Sequence, residues 1–230
     1  MDADFAAQVS AHLQGRLAPL LEAANAPTAD EASLLPQLGR FCAALLEQNQ
    51  ILNLTGITDP AGMAVRHVLD ALVALRALPA QLDGPLLDLG SGCGVPGVPL
   101  GLARPDLEVV LVESRQRKAA ALGRLLEALD LPPRMTAAHA RGENWLAERR
   151  AGVVVTRAVG SVDAQLKLLH KQRGRFGLLV MLKGPAIEQE LADAEPRRAR
   201  DGWPQPTLQH ASLPGDAGQR TLVSFDPQHA

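Results

Sequence analysis

The stretch LLDLGSGCGVPG, residues 86–97, gathers the residue types that handle a ligand. An apolar run carries an acid, Asp88, and glycine then recurs at Gly90, Gly92, Gly94 and Gly97. Glycines so placed permit positive φ and let a ligand lie against bare backbone. Two patterns overlap here. Gly92-x-Gly94-x-x-Gly97 has the spacing of a dinucleotide-binding turn, while D-x-G-x-G-x-G from Asp88 suits a ligand without a phosphate. Charge separates them, because a carboxylate two residues before the first glycine repels a pyrophosphate in a partly buried site. S-adenosylmethionine has no phosphate and carries two cations, a sulfonium and an α-ammonium. A second acid, Glu113, ends the next apolar run and can hold the ribose hydroxyls of either ligand. The methyl donor is the preferred ligand, and a nicotinamide dinucleotide the alternative.

Other charged side chains stand at the ends of the expected elements. Arg157 follows the apolar run GVVVT, where it can donate to a phosphate or simply end a strand in solvent. Lys183 follows FGLLVML and can face RNA or solvent. Arg66, His67 and Asp70 are three and four residues apart, a spacing that pairs side chains on one helix face or offers them to a substrate. Cys93 reads as a small loop filler, with nothing nearby to activate a thiolate. Basic clusters occur at Arg115, Arg117 and Lys118, at Lys171, Arg173 and Arg175, and at Arg197, Arg198 and Arg200. Each is compatible with a solvated face, and the first, beside Glu113, is the best RNA candidate.

These residues need a scaffold. Residues 1–50 carry apolar positions at helical spacing, with Asp30 as an N-cap. Asp59-Pro60 opens a further helix to about residue 78, with Val65, Val68, Leu69, Leu72 and Leu75 inward. From residue 85 strands alternate with helices. Strands are expected at 86–89, 108–112, 134–138, 152–156 and 176–182, and helices at 98–103, at 115–129 capped by Ser114, and from Ser161 to about 172. That alternation predicts a parallel α/β sheet. Residues 192–202 read as a charged helix end plus loop. Residues 207–213 and 220–225 read as an antiparallel pair at the sheet edge. The expected organisation is an N-terminal helical cap, 1–84, on one ligand-binding domain, 85–230.

Composition bounds the partners. The chain has 230 residues, 47% hydrophobic and 3% aromatic without tyrosine, which disfavours base-stacking single-strand binders. Its net charge of −2 means that any nucleic-acid contact must come from a local patch or a structured partner. Two distant cysteines form neither a metal-ligand spacing nor a disulfide framework. With no signal-like or membrane-length apolar run, a soluble cytoplasmic protein without a metal is expected.

Several segments resemble one family, the bacterial small-subunit rRNA guanine-N7 methyltransferases, historically called glucose-inhibited division protein B. The carrying motifs are NLTGITDP at 53–60, RHVLDAL at 66–72, LLDLGSGCGVPGVPLGLARPD at 86–106, RGE at 141–143, VVTRAVGS at 154–161 and LKG at 182–184. The loop ending V-P-G-V-P-L and the pairing of N-L-T with R-H-x-x-D are the most specific. The resemblance implies a Rossmann-like class I methyltransferase fold that binds S-adenosylmethionine. It implies methylation of N7 of a guanine in the 530 loop of 16S rRNA, with the 30S subunit or an assembly intermediate as partner. Gly90 and Val95 match cofactor contacts, Gly142 and Glu143 the segment beside the adenine, and Arg157 an arginine at the reaction mouth. Asn53, Arg66, His67 and Asp70 match motif positions. The chain departs from the pattern at Leu52, Ala71 and Val159, where the family often has an aromatic, a serine and a phenylalanine. A non-enzymatic ribosome assembly factor on the same fold, and a methyltransferase acting on a small molecule or protein, are the remaining alternatives.

Overall fold

The computed structural model describes residues 1–131, 133–214 and 217–228; residues 132, 215–216 and 229–230, all inside the expected 85–230 domain, lie outside the described residues. The chain opens with helices α1 (Ala3–Leu13), α2 (Ala18–Glu22) and α3 (Glu31–Ile51). Asp2 caps α1 by accepting from the amides of Asp4 and Phe5, and Asp30 caps α3 by accepting from Ser33. Strands β1 (Leu86–Leu89), β2 (Val109–Glu113), β3 (Met135–His139), β4 (Ala151–Arg157), β5 (Phe176–Lys183), β6 (Thr207–Ser212) and β7 (Gln219–Phe225) form one sheet, ordered β3-β2-β1-β4-β5-β7-β6. The first five run parallel, and β7 pairs antiparallel with both β5 and β6. The expected parallel α/β sheet with an antiparallel pair at its edge is the fold found.

Side-chain alternation explains the layering. Leu86, Val109, Leu111, Val153, Val155, Val180 and Leu182 face a core built with the N-terminal helices. That side also carries α6 (Gly97–Ala103) and α7 (Gln116–Ala128). Leu87, Leu89, Val110, Val112, Val154, Leu179 and Met181 face a second core. Its helices are α8 (Gly142–Glu148), α9 (Val162–Leu169) and α10 (Ile187–Arg200). The first core joins Phe5, Leu38, Phe41 and Leu72 to the sheet, so the N-terminal helices share a core with residues beyond 85.

Three local expectations need correction. The helix expected over 60–78 is a succession: α4 (Pro60–Met63), a π-helical stretch (Ala64–Leu69), α5 (Asp70–Leu72) and a 3-10 turn (Val73–Ala77). In the widened turn the Asp70 amide reaches back to the Val65 carbonyl, while the Arg66 carbonyl accepts from Arg157 far along the chain. Ser114 does not cap α7; its hydroxyl lies 3.5 Å from Glu113 Oε1, and the Glu113 carboxylate takes the Arg115 amide at 2.8 Å instead. The segment 192–202 is mostly helix, since α10 continues through Pro196 to Arg200. The proline removes one intrahelical donor. Pairs from Arg197 to Asp163 and from Arg198 to Glu195, with Ile187 and Ala194 buried, hold the helix regardless.

Candidate active site

Strand order reverses between β1 and its neighbours β2 and β4, so the loop after β1 lies at the switch point where open α/β sheets bind ligands. Its backbone is accounted for bond by bond. The amides of Gly90 and Ser91 donate to the Val112 carbonyl, and the Gly94 amide donates to Ser91. The Gly92 amide donates to Glu113 Oε2 at 3.2 Å. Glu113 thus clasps the loop with one oxygen and the start of the next helix with the other.

Asp88 lies beneath this loop, 1% exposed. Its Oδ2 accepts from the Ser91 hydroxyl at 2.7 Å and from the Gly97 amide at 2.9 Å. A Cβ on Gly97 would fall 2.9 Å from Asp88 Cβ and collide with Leu111, so only glycine lets the helix approach the strand here. Burial pushes the Asp88 carboxyl up to about 6, against the opposing hydrogen bonds from Ser91 and Gly97. Its Oδ1 is buried with no hydrogen-bond partner among the described residues. Gly92 holds φ at +60°, and a Cβ there would meet nothing nearer than the Gly90 carbonyl oxygen at 3.7 Å. Open backbone at Gly92, in a loop whose buried acid keeps one carboxylate oxygen uncommitted, fits a ligand with cationic groups.

Beside the loop, at the C-terminal ends of β4 and β5, lies a groove of about 690 Å³. Its charged lining is Arg66, Asp70, Arg157, Lys183, Glu190 and Arg220, with His67 among them. Four basic side chains against two carboxylates make a local positive excess on a chain of net charge −2.

Asp70 is the hub. It is 4% exposed and accepts from Arg157 Nη1 at 3.1 Å with one oxygen and from Arg220 Nε at 2.7 Å with the other. It therefore does not pair with Arg66 or His67 along its own helix. Arg66 is exposed, and its carbonyl takes Arg157 Nη1 at 2.8 Å. Arg157 is not a solvated strand end: the second guanidinium nitrogen donates to His67 Nδ1 at 3.3 Å and reaches Cys93 Sγ at 3.9 Å. A guanidinium has no acceptor, so His67 Nδ1 must accept and Nε2 carries the proton. Nε2 donates to Thr55 Oγ1 at 2.8 Å. Burial first, and the Arg157 charge second, lower the His67 imidazole to about 4, so it is neutral near pH 7. Burial likewise raises the Cys93 thiol and keeps it protonated.

The remaining expected residues divide. Lys183 is buried and donates to the Gly160 carbonyl at 2.6 Å and to Glu190 Oε2 at 2.7 Å, so it is not a solvated terminus. Gly142 opens α8, packed against Leu89, and Glu143 follows it, partly exposed, 3.8 Å from Arg141. Val95 is buried in the loop. Asn53 is exposed, whereas Asn49, which the sequence reading passed over, accepts from the amides of Leu54 and Thr55 and shapes the 53–60 turn. Arg220 was missed as well. Only the antiparallel register, with Lys183 opposite Thr221, brings the start of β7 to this edge. Among the described residues no group of three His, Cys, Asp or Glu side chains is placed to hold a metal, and no helix is long and apolar enough to cross a membrane.

Comparison with known proteins gives a consistent picture. Residues 34–216 match the family described as GidB, rRNA small subunit methyltransferase G. A "Ribosomal RNA small subunit methyltransferase G" of Stenotrophomonas maltophilia is 34% identical over 212 residues, covering 92% of this chain and 96% of its own. That of Anaeromyxobacter sp. is 42% identical over 174 residues, covering 75% and 79%. The chain spans 37% of the length of a longer relative from Syntrophobacter fumaroxidans, at 36% identity. Among solved structures, the METTL16 MTase domain superposes with a TM-score of 0.56 at 12% identity, covering 86% of this chain and 82% of that one. Precorrin-6y C5,15-methyltransferase from Geobacter metallireducens gives 0.51 at 14%, covering 67% and 86%. At such identities these two bear on the fold alone.

Proposed function

This chain belongs to the rRNA small subunit methyltransferase G family, and from that premise we propose that it methylates N7 of a guanine in the 530 loop of 16S rRNA, using S-adenosylmethionine. The observation that carries this reading is a juxtaposition. A glycine loop with a buried acid, its backbone open at Gly92, adjoins a groove rich in arginine, and Arg157 touches both through Cys93 and Asp70.

Asp88, Gly90, Gly92, Gly94, Val95 and Glu113 would hold the donor, with Gly142 and Glu143 flanking its adenine. When bound, the donor supplies a methyl group made electrophilic by a sulfonium. Guanine N7 presents a lone pair in the major groove and has no proton to lose, so no general base is required. The neutral His67 agrees with that: it orients Arg157 rather than exchanging protons. Arg157 faces the groove as the positioning group for the guanine, and the chain contributes alignment and exclusion of water. Arg66 and Asn53, both exposed, would contact the RNA.

The substrate is RNA within the 30S subunit or an assembly intermediate, in the cytoplasm. The groove's positive charge is local, and a chain of net charge −2 gains little from naked RNA. Calorimetry with S-adenosylmethionine, followed by transfer of a labelled methyl group to 30S particles and to naked 16S rRNA, tests the reading. Donor binding and transfer favouring particles are expected. Particle association without transfer would leave only a non-enzymatic assembly factor.

A further inference from the structure

We propose that the buried Lys183–Glu190 pair is a positioning device for the methyl donor, acting through the turn that follows β4, rather than a contact to RNA. This rests on the donor site proposed above.

The turn is under backbone strain. Ala158, directly after Arg157, has φ +57°, a left-handed conformation that a residue with a Cβ rarely adopts. Such a residue persists only where its surroundings over-determine it. Here the surroundings are specific. Lys183, at the end of β5, donates to the Gly160 carbonyl at 2.6 Å, and Gln165 Nε2 donates to the same oxygen at 3.3 Å. Glu190, in the first turn of α10, accepts from Lys183 Nζ at 2.7 Å and from the Val162 amide at 3.0 Å, both on one carboxylate oxygen. Two elements that neither flank nor contain the turn therefore clamp its far end on both sides.

The near end of the turn meets the donor loop. Val159 packs on Gly90, with its Cγ2 3.0 Å from where a Gly90 Cβ would lie. Arg157 is fixed on the other side by Asp70 and His67. With Arg157 and Gly160 both fixed, Ala158 has no freedom to relax, and Val159 is pressed on the first glycine of the loop. A protonated amine, desolvated and with two of its three donors committed within the protein, is built to hold a loop rather than to meet a phosphate. The inward-facing partners of the pair are the Gly160 carbonyl and Val162 amide; Arg220 lines the same groove but is committed to Asp70.

The test compares donor and RNA terms in the full-length protein. Lys183→Met keeps the length of the side chain and removes the charge, and Glu190→Gln keeps an acceptor for Val162. Each should raise the Kd and KM for S-adenosylmethionine about tenfold, with KM for 30S particles within twofold of wild type. Ala158→Gly relieves the strain at φ +57° and so reduces the need for the clamp. The double variant with Ala158→Gly and Lys183→Met should therefore recover at least threefold in donor affinity. A rise confined to the KM for 30S particles would make Lys183 an RNA contact and overturn the proposal. So would an unchanged donor Kd in a folded Lys183→Met protein, or failure of Ala158→Gly to rescue it. If Lys183→Met does not fold, the Glu190→Gln donor Kd decides alone. Absence of donor binding by the wild-type protein would instead sink the donor site itself, a separate outcome.

Discussion

The glycine loop and the arginine groove lie side by side but are held by different means. The loop is held by near neighbours: Asp88 reaches three residues to Ser91 and nine to Gly97, and Glu113 reaches 21 back to Gly92. The groove is held by contacts that span the chain: Arg157 to Asp70 across 87 residues, and Arg220 to Asp70 across 150. The loop also has little charge to balance, whereas the groove gathers opposite charges around one buried carboxylate. The first can be assembled once β1, β2 and α6 pack together. The second exists only when the N-terminal helices, the parallel strands and the C-terminal hairpin have all docked.

The contrast predicts where damage will be greatest. Asp70→Ala leaves Arg157 and Arg220 without their counter-ion in a partly buried site. Breaking a buried pair in this way costs about 3–5 kcal/mol, so urea unfolding should show a loss of that order together with abolished methyl transfer. A loss below about 1 kcal/mol would mean that solvent replaces Asp70 and that the groove is not held from this hub.

Acid separates the two regions next. His67 has a lowered imidazole in the folded protein, so its contribution to stability is complete above about pH 6.5 and is lost as pH falls toward about 4. Asp88 has a raised carboxyl, so the folded state binds the proton more readily and stability from this group is lost as pH rises from 3.8 through about 6. The two oppose each other over the same window, each by up to about 3 kcal/mol. Relative to wild type, His67→Gln should gain ground as pH falls from 6.5 to 4, and Asp88→Asn should lose ground. Unfolding free energies measured across that range check both signs, and parallel curves would refute the assignment.

A smaller effect is expected at Gly92. Gly92→Ala meets no protein atom closer than 3.7 Å but must adopt φ +60°. It should lose only about 1 kcal/mol of stability yet weaken donor binding tenfold or more, because the methyl would intrude on the open strip. Equal donor affinity in calorimetry would place the donor elsewhere. Smallest of all are the helix starts. Ser161 caps α9 by accepting from the Ala164 amide, whereas Ser114 caps nothing. Ser161→Ala should cost about 1 kcal/mol and Ser114→Ala a few tenths at most; the reverse order in thermal unfolding would contradict the observed caps.

The same contrast explains what could be read in advance. The glycine loop, Asp88, Glu113 and the strands behind them were legible because each depends on residues close in sequence or on strict alternation of apolar positions. The fold class, with its antiparallel edge, followed from that alternation. The π-helical turn was invisible: Val65, Val68, Leu69 and Leu72 fit an ordinary helix, and it is distinguished by the Asp70 amide's bond to the Val65 carbonyl and by the Arg66 carbonyl's acceptance from Arg157. Helix spacing suggested partners for Asp70 on its own element, but the carboxylate is taken by two arginines from the sheet. Arg220 carried no local signal, since its place depends on the β5–β7 register. Lys183 looked like a strand end because Glu190, seven residues on, is brought back only by the fold of α10.

On the proposed function, the loop and the groove together deliver a methyl group to one ring nitrogen. Purified protein incubated with labelled S-adenosylmethionine and 30S particles lacking the modification tests it most directly, with the labelled base identified and mapped. 7-Methylguanine at a single guanine of the 530 loop is expected, lost in the Asp70→Ala protein and reduced in Gly92→Ala at limiting donor. Label on another base, on another ring atom, or on ribosomal protein would contradict it.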